Sequence, residues 1–167
     1  MDDPEARFTA LYDRHYRSVL GYALLRAERQ AAEDVASETF LIAWRRLDGV
    51  PDQPLPWLLG VARNLLRKHH ERGRRWVTPA ERLAALTQEN DVADEVSERR
   101  MALEALAVLP EHEVEAVILA SWHGLGPAEA AKVAGCSARA FSVRLHRARR
   151  RLADAMNLAR TTLQEQR

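Results

Sequence analysis

Residues 124–152, GLGPAEAAKVAGCSARAFSVRLHRARRRL, carry the pattern that decides the fold. Pro127 suits a first helical position, where a missing N–H costs nothing. Ala130, Ala131 and Val133 give the short helix it opens an apolar side. Ala134-Gly135-Cys136 reads as a tight turn. Ser137 reads as the N-cap of a longer helix, its hydroxyl accepting from an orphan backbone N–H. Short helix, glycine-containing turn and long helix make the helix-turn-helix pattern. In the long helix, Phe141, Leu145, Ala148 and Leu152 recur at i, i+4, i+7 and i+11 and form a buried stripe. At about 100° per residue, Arg139, Ser142, His146, Arg147 and Arg150 fall on the open side, with Arg144 at the stripe's edge. Such a row of guanidiniums suits the DNA major groove, because arginine bonds guanine O6 and N7 bidentately and also clamps phosphates. The plainer alternative is an arginine-rich solvated helix end.

Upstream, every segment reads as helix. Only seven glycines and seven prolines interrupt the 167 residues, and no run alternates as a strand would. Phe8, Leu11, Tyr12, Val19 and Ala23 share one face of a first helix. Ala32, Val35, Ala36, Thr39, Phe40, Ala43, Trp44 and Leu47 form the stripe of a second, which is expected to bury Phe40 and Trp44. Leu41 and Ile42 lie outside that stripe, among Glu33, Asp34, Ser37, Glu38 and Arg45. They make either a partner surface or a second core contact. Gly49, Pro51 and Pro54 break the chain, and a third helix is expected from Pro56, with Leu58, Val61, Ala62 and Leu65 buried. Trp57, Asn64 and Lys68 lie on roughly one side of it, flanked by Arg63 and Arg67. An aromatic, an amide and cations so placed suit an unstacked base and its phosphates, although Trp57 is also an ordinary core residue type. A short helix is expected near 80–86. A further helical unit begins near Glu98, with Met101, Leu103, Leu106 and Leu109 before Pro110, and Val114, Val117, Ile118 and the small Ser121 after it.

Net charge is only +1, but it is segregated. Residues 63–75 hold five arginines and a lysine against one glutamate, and residues 139–151 hold six arginines and no acid. Between them, residues 86–98 hold five acids and no base. Two cationic patches separated by an acidic stretch suggest one polyanion touched at two places. The composition, 47% hydrophobic and 29% charged, is that of a folded soluble chain. No apolar run approaches the roughly 20 residues of a membrane helix. The acidic N-terminus MDDPEARF lacks the apolar core of a signal peptide, so the cytoplasm is the expected compartment and no membrane insertion is expected. The single Cys136 excludes an intramolecular disulfide and a multi-cysteine metal site. His69 and His70 are adjacent and diverge on a helix, and no other histidine has a ligand partner at metal-binding spacing. No phosphate loop or nucleophile elbow is present. No catalytic residue, metal, cofactor or small-molecule substrate is therefore expected, and the chain does not read as an enzyme.

The segments AEDVASETFLIAWRRL, PWLLGVARNLLRKHHERGRR and LPEHEVEAVILASWHGLGPAEAAKVAGCSARAFSVRLHRARRRL together resemble bacterial sigma factors of the extracytoplasmic-function (group 4) type, built only from regions 2 and 4. The resemblance covers about residues 8–75 and 98–155. It implies an all-α chain of two small helical domains: region 2 at 1–75, a flexible acidic linker at 76–97, and region 4 with its helix-turn-helix at 98–167, where only a short polar tail follows residue 155. It further implies an alternative sigma factor that binds core RNA polymerase, through the beta-prime clamp helices and the beta subunit, and directs it to promoter DNA. Such proteins are commonly held inactive by an anti-sigma factor.

Residues 31–47 match the helix that docks on the clamp helices, which makes Asp34, Ser37, Glu38, Leu41, Ile42 and Arg45 the polymerase contacts. Ser37 stands where the family commonly has glutamine, so docking leans on Asp34, Glu38 and apolar contact. Residues 56–75 match the segment that melts the −10 element and captures a flipped base. Asn64 falls on the asparagine of the family's A-R-N motif, with Trp57 beside it and Arg63, Arg67 and Lys68 on phosphates. Residues 138–150 match the −35 helix, implying contacts from Arg139, Ser142, Arg144, His146, Arg147 and Arg150. Arg139 and Ser142 depart from the family pattern, which bears on the −35 sequence read. The linker's acidity would mimic nucleic acid on the way to the RNA exit path.

Two other classes compete. A stand-alone helix-turn-helix regulator explains residues 98–155 equally well but leaves 31–75 as mere scaffold; it would bind duplex DNA alone, as a dimer on a palindrome. A nucleic-acid enzyme would need a metal or a carboxylate pair, and Glu33, Asp34 and Glu38 are the acidic cluster it would have to use. A protein dock explains that cluster more simply.

Overall fold

The computed structural model describes residues 3–72 and 96–166. They form helices and turns, with no strand among the described residues. The chain divides between Val77 and Thr78 into two compact units. The expected helix near 80–86 and the linker residues 76–95 lie outside the described residues, as do residues 73–75 of the basic run.

The first unit is a three-helix cluster of α1 (Pro4–Leu24), α2 (Arg29–Arg45) and α3 (Pro54–Glu71), each packed on the other two. Asp3 caps α1, its Oδ1 accepting from the Glu5 N–H at 3.0 Å, and Pro4 takes the first helical position. Val19, Tyr22, Ala23, Ala32, Val35, Ala36, Phe40, Ala43, Leu58 and Ala62 fill the core. Fully burying a leucine such as Leu58 contributes roughly 1.5–3 kcal/mol. The buried Thr39 hydroxyl donates back to the Val35 carbonyl at 2.7 Å, so the polar group in the stripe is satisfied within its own helix.

Three expectations change here. Helix α3 starts at Pro54, two residues before Pro56. Both prolines fit, because none of the first four N–H groups of a helix has an intrahelical acceptor. Trp44 is not in the core: it remains 42% exposed, with one edge against Phe8. Val61 is half-buried, and the core takes Leu59 and Leu66 beside Leu58, Ala62 and Leu65, since α3 contacts both α1 and α2 and therefore buries a wider face than one stripe. Unforeseen in the sequence is Arg26, buried just after α1. Its guanidinium lies 5.0 Å from the Tyr22 ring centre and donates to the Tyr22 hydroxyl at 2.9 Å.

The second unit comprises α4 (Val96–Ala107), α5 (Glu111–Val117), α6 (Pro127–Ala134) and α7 (Ala138–Glu165), with α7 packed on the other three. Helix α5 ends in a π turn over Ile118–Trp122, closed by the His123 N–H donating to the Ile118 carbonyl at 3.1 Å. Ser121 is exposed rather than buried, and Leu119 takes the core position, because the wider π turn shifts which residues face inward. Gly124 (φ 64°) and Gly135 (φ 72°) adopt the left-handed conformation that ends each helix and aims the chain into the next element. Ser137 caps α7 as expected, accepting from the Ala140 N–H at 3.1 Å. The polar residues after 155 are helical. They continue α7 to Glu165, and the Thr161 and Thr162 hydroxyls donate back to the carbonyls of Asn157 and Leu158.

Candidate nucleic-acid interface

Helix α7 presents the densest chemistry. Its N-terminal half is packed through Phe141 and Ala148, with Leu145 and Leu152 half-buried. Arg139, Ser142, His146, Arg147 and Arg150 are all exposed, and Arg144 is half-buried at the stripe's edge. The six residues singled out in the sequence therefore share one accessible side of one helix. The reason is the helical period itself, which separates them from the apolar stripe. Arg151 belongs to the same run but turns toward α5, where its Nη1 lies 3.6 Å from the buried Glu113 carboxylate.

Helix α3 carries the second cationic face. Asn64, Arg67 and Lys68 are exposed, while Trp57 and Arg63 are half-buried. The indole of Trp57 thus serves the packing and keeps an accessible edge. At the far end of α3, His69 and His70 meet Arg26 around a pocket of about 320 Å3 that Glu28 and Gln30 also line. Burial pushes the His70 pKa below its ordinary 6.5, and the neighbouring Arg26 and His69 lower it further. In the second unit burial alone lowers the pKa of His123.

The outer side of α2 is a third surface. Asp34, Ser37, Glu38, Leu41 and Arg45 are exposed, and Ile42 is half-buried. Leu41, at 46% exposure, does not stand alone. Together with Ser37 and Trp44 it lines a shallow groove of about 580 Å3 against Phe8 and Tyr12 of α1, floored by Phe40. Tyr12 stacks on Tyr16 at 4.8 Å and meets Phe40 edge-on at 5.1 Å. Spacing puts Tyr12 on one face of α1 and Trp44 in the core, and so misses their part in this groove.

Among the described residues, no group of three or more His, Cys, Asp or Glu side chains is placed to hold a metal ion, and no helix is long and apolar enough to cross a membrane.

The family model for sigma-70 region 2 matches residues 11–76, and that for sigma-70, region 4 matches residues 99–152. The chain is 35% identical over 170 aligned positions to the ECF RNA polymerase sigma factor SigL of Mycobacterium tuberculosis, covering 96% of this chain and 90% of SigL. It is 37% identical over 155 positions to the ECF RNA polymerase sigma factor BldN of Streptomyces coelicolor, covering 87% of this chain but only 59% of BldN. Among solved structures it is similar to CnrH in complex with the cytosolic domain of CnrY, with a TM-score of 0.59, 27% identity and coverage of 90% and 88% of the two chains. The sigma factor RpoE of Bartonella quintana, solved with the anti-sigma factor NepR, shares the fold, with a TM-score of 0.66 at 21% identity over 90% of this chain and 96% of RpoE. Two family models in order and the match along nearly the whole of SigL place the sequence in one family: the chain belongs to the extracytoplasmic-function RNA polymerase sigma factors.

Proposed function

We propose that this chain is an alternative sigma factor that binds core RNA polymerase and directs it to promoters, with residues 1–75 acting as region 2 and 98–167 as region 4. The observation that carries this reading is the pairing of two cationic helix faces, on α3 and α7, with a separate acidic and apolar face on α2. A regulator that only bound duplex DNA would use the α7 face and leave the other two idle.

Each surface then has a task. Asp34, Ser37, Glu38, Leu41, Ile42 and Arg45 dock on the polymerase, where apolar contact supplies affinity and the charges set the register. Arg139, Ser142, Arg144, His146, Arg147 and Arg150 grip the −35 duplex through phosphates and base edges. Trp57 and Asn64 receive an extruded base of the −10 element, while Arg63, Arg67 and Lys68 hold its phosphates. Extrusion costs a few kcal/mol per base, which stacking on Trp57 and hydrogen bonding to Asn64 offset. The chain makes and breaks no bond, since the polymerase does the chemistry; it needs no cofactor and works in the cytoplasm. CnrH, 31% identical to this chain in sequence, is found bound to the cytosolic domain of CnrY. By that likeness an anti-sigma factor is the partner that holds this chain inactive.

The test is association followed by transcription. The purified chain should bind core RNA polymerase and support run-off transcripts from a library of genomic fragments. A chain that ignores the polymerase but binds a palindromic duplex as a dimer would instead be a stand-alone regulator.

A further inference from the structure

We infer that Glu113 is a positioning residue for the DNA-facing helix: it holds Arg151 back from DNA, so that the phosphate-contacting row ends at Arg150. The inference rests on the reading of α7 as a duplex-DNA helix.

Arg151 lies one turn beyond Arg147 and about 40° from it around the helix, near enough to reach the same phosphates. The structure puts its guanidinium elsewhere. Arg151 Nη1 sits 3.6 Å from Glu113 Oε2 in the first turn of α5. The two partners are unequal. The Glu113 side chain is 3% exposed and the Arg151 side chain 56% exposed. Glu113 Oε2 makes no hydrogen bond among the described residues, so the ion pair is what compensates this oxygen. A buried carboxylate that loses its counterion is strongly penalised, whereas a half-exposed guanidinium that loses its acid is simply rehydrated. The pairing is therefore enforced from the Glu113 side.

Helix α7 packs on α4, α5 and α6, so helix packing sets its roll. What Glu113 decides is where the Arg151 guanidinium goes: toward α5 rather than into the row of Arg147 and Arg150.

The experiment is the salt dependence of binding of the full chain to a fluorescently labelled DNA duplex of mixed sequence, read by anisotropy, with thermal unfolding in parallel. Glu113→Gln should release Arg151 to a phosphate and steepen the slope of log K against log salt by about 0.9. Arg151→Gln should leave the slope at the wild-type value while lowering Tm, because Glu113 is stranded. The double variant Glu113→Met with Arg151→Met should recover much of that Tm and keep the wild-type slope. An unchanged slope in Glu113→Gln overturns the proposal, and so does a slope shallower by about 0.9 in Arg151→Gln or in the double variant. Arg147→Ala separates this from the underlying reading: if its slope also stays at the wild-type value, α7 does not face DNA at all.

Discussion

Phe8 of α1 meets Trp44 of α2 edge to face, with ring centres 5.3 Å apart and planes inclined at 75°. This contact holds the indole upright at the rim of the α1–α2 groove and leaves 42% of Trp44 to solvent. A large aromatic held rigid and half-exposed is the kind of residue that dominates binding interfaces, since little side-chain freedom remains to be lost on docking.

Trp44→Ala should therefore weaken binding to core RNA polymerase by ten-fold or more, a loss on the order of 2 kcal/mol. Its cost to folding should stay near 1–2 kcal/mol, below that of a fully buried tryptophan. Titration of labelled core enzyme together with thermal unfolding separates the two effects. Wild-type affinity in a folded variant would remove the groove from the docking surface.

Asn64 is exposed on α3 and contributes nothing to the core of the first unit. Asn64→Ala should leave polymerase binding intact and reduce open-complex formation. Permanganate footprinting of the −10 region reports this directly; unaltered reactivity would show that Asn64 captures no base.

Arg147 is exposed and Arg144 half-buried on α7. Arg147→Ala should make the salt dependence of duplex binding shallower by about 0.9, the value for one lost phosphate contact. Arg144→Ala should do the same and also lower Tm, because the aliphatic stem of a half-buried arginine packs against its neighbours. Anisotropy across a salt series, with melting curves, distinguishes the two variants.

Acid should destabilise both units. Burial lowers the folded-state pKa of His15 and His70 in the first unit and of His123 in the second, each below an ordinary 6.5. Neighbouring Arg14 adds to the shift of His15. A depressed folded pKa means that the unfolded chain binds more protons, so stability falls as pH drops below about 6.5 and levels off beneath the folded values. Calorimetric melting between neutral and mildly acid pH should show this fall. His123→Gln should flatten it in the second unit only, and an equal slope in that variant would assign the acid sensitivity to other groups.

The helix-turn-helix was legible because each of its parts is a local device. Pro127 opens a helix, Gly135 turns left-handed and Ser137 caps, and each needs only its neighbours in the chain to act. The exposed arginines of α7 were legible for the same reason, since a regular helix sorts its faces by spacing alone. Trp44 was misjudged because spacing says that two residues share a face but not how much of that face another helix covers. Arg26 and Glu113 were invisible. Glu113 pairs with the side chain of Arg151, 38 positions away in the chain, and Arg26, although it meets the nearby Tyr22, is buried by packing that spacing does not specify.

The sequence by itself determined the all-α character, the order of helices, the turn chemistry and the cationic faces of α3 and α7, because periodicity and capping act within a few residues. Only the tertiary structure decided that α1 and α2 leave a groove with Trp44 at its rim, that the π turn after α5 brings Leu119 inward, and that Arg151 of α7 lies against the buried Glu113 of α5. Each of these depends on which helix surfaces meet, and that is settled by packing between segments far apart along the chain.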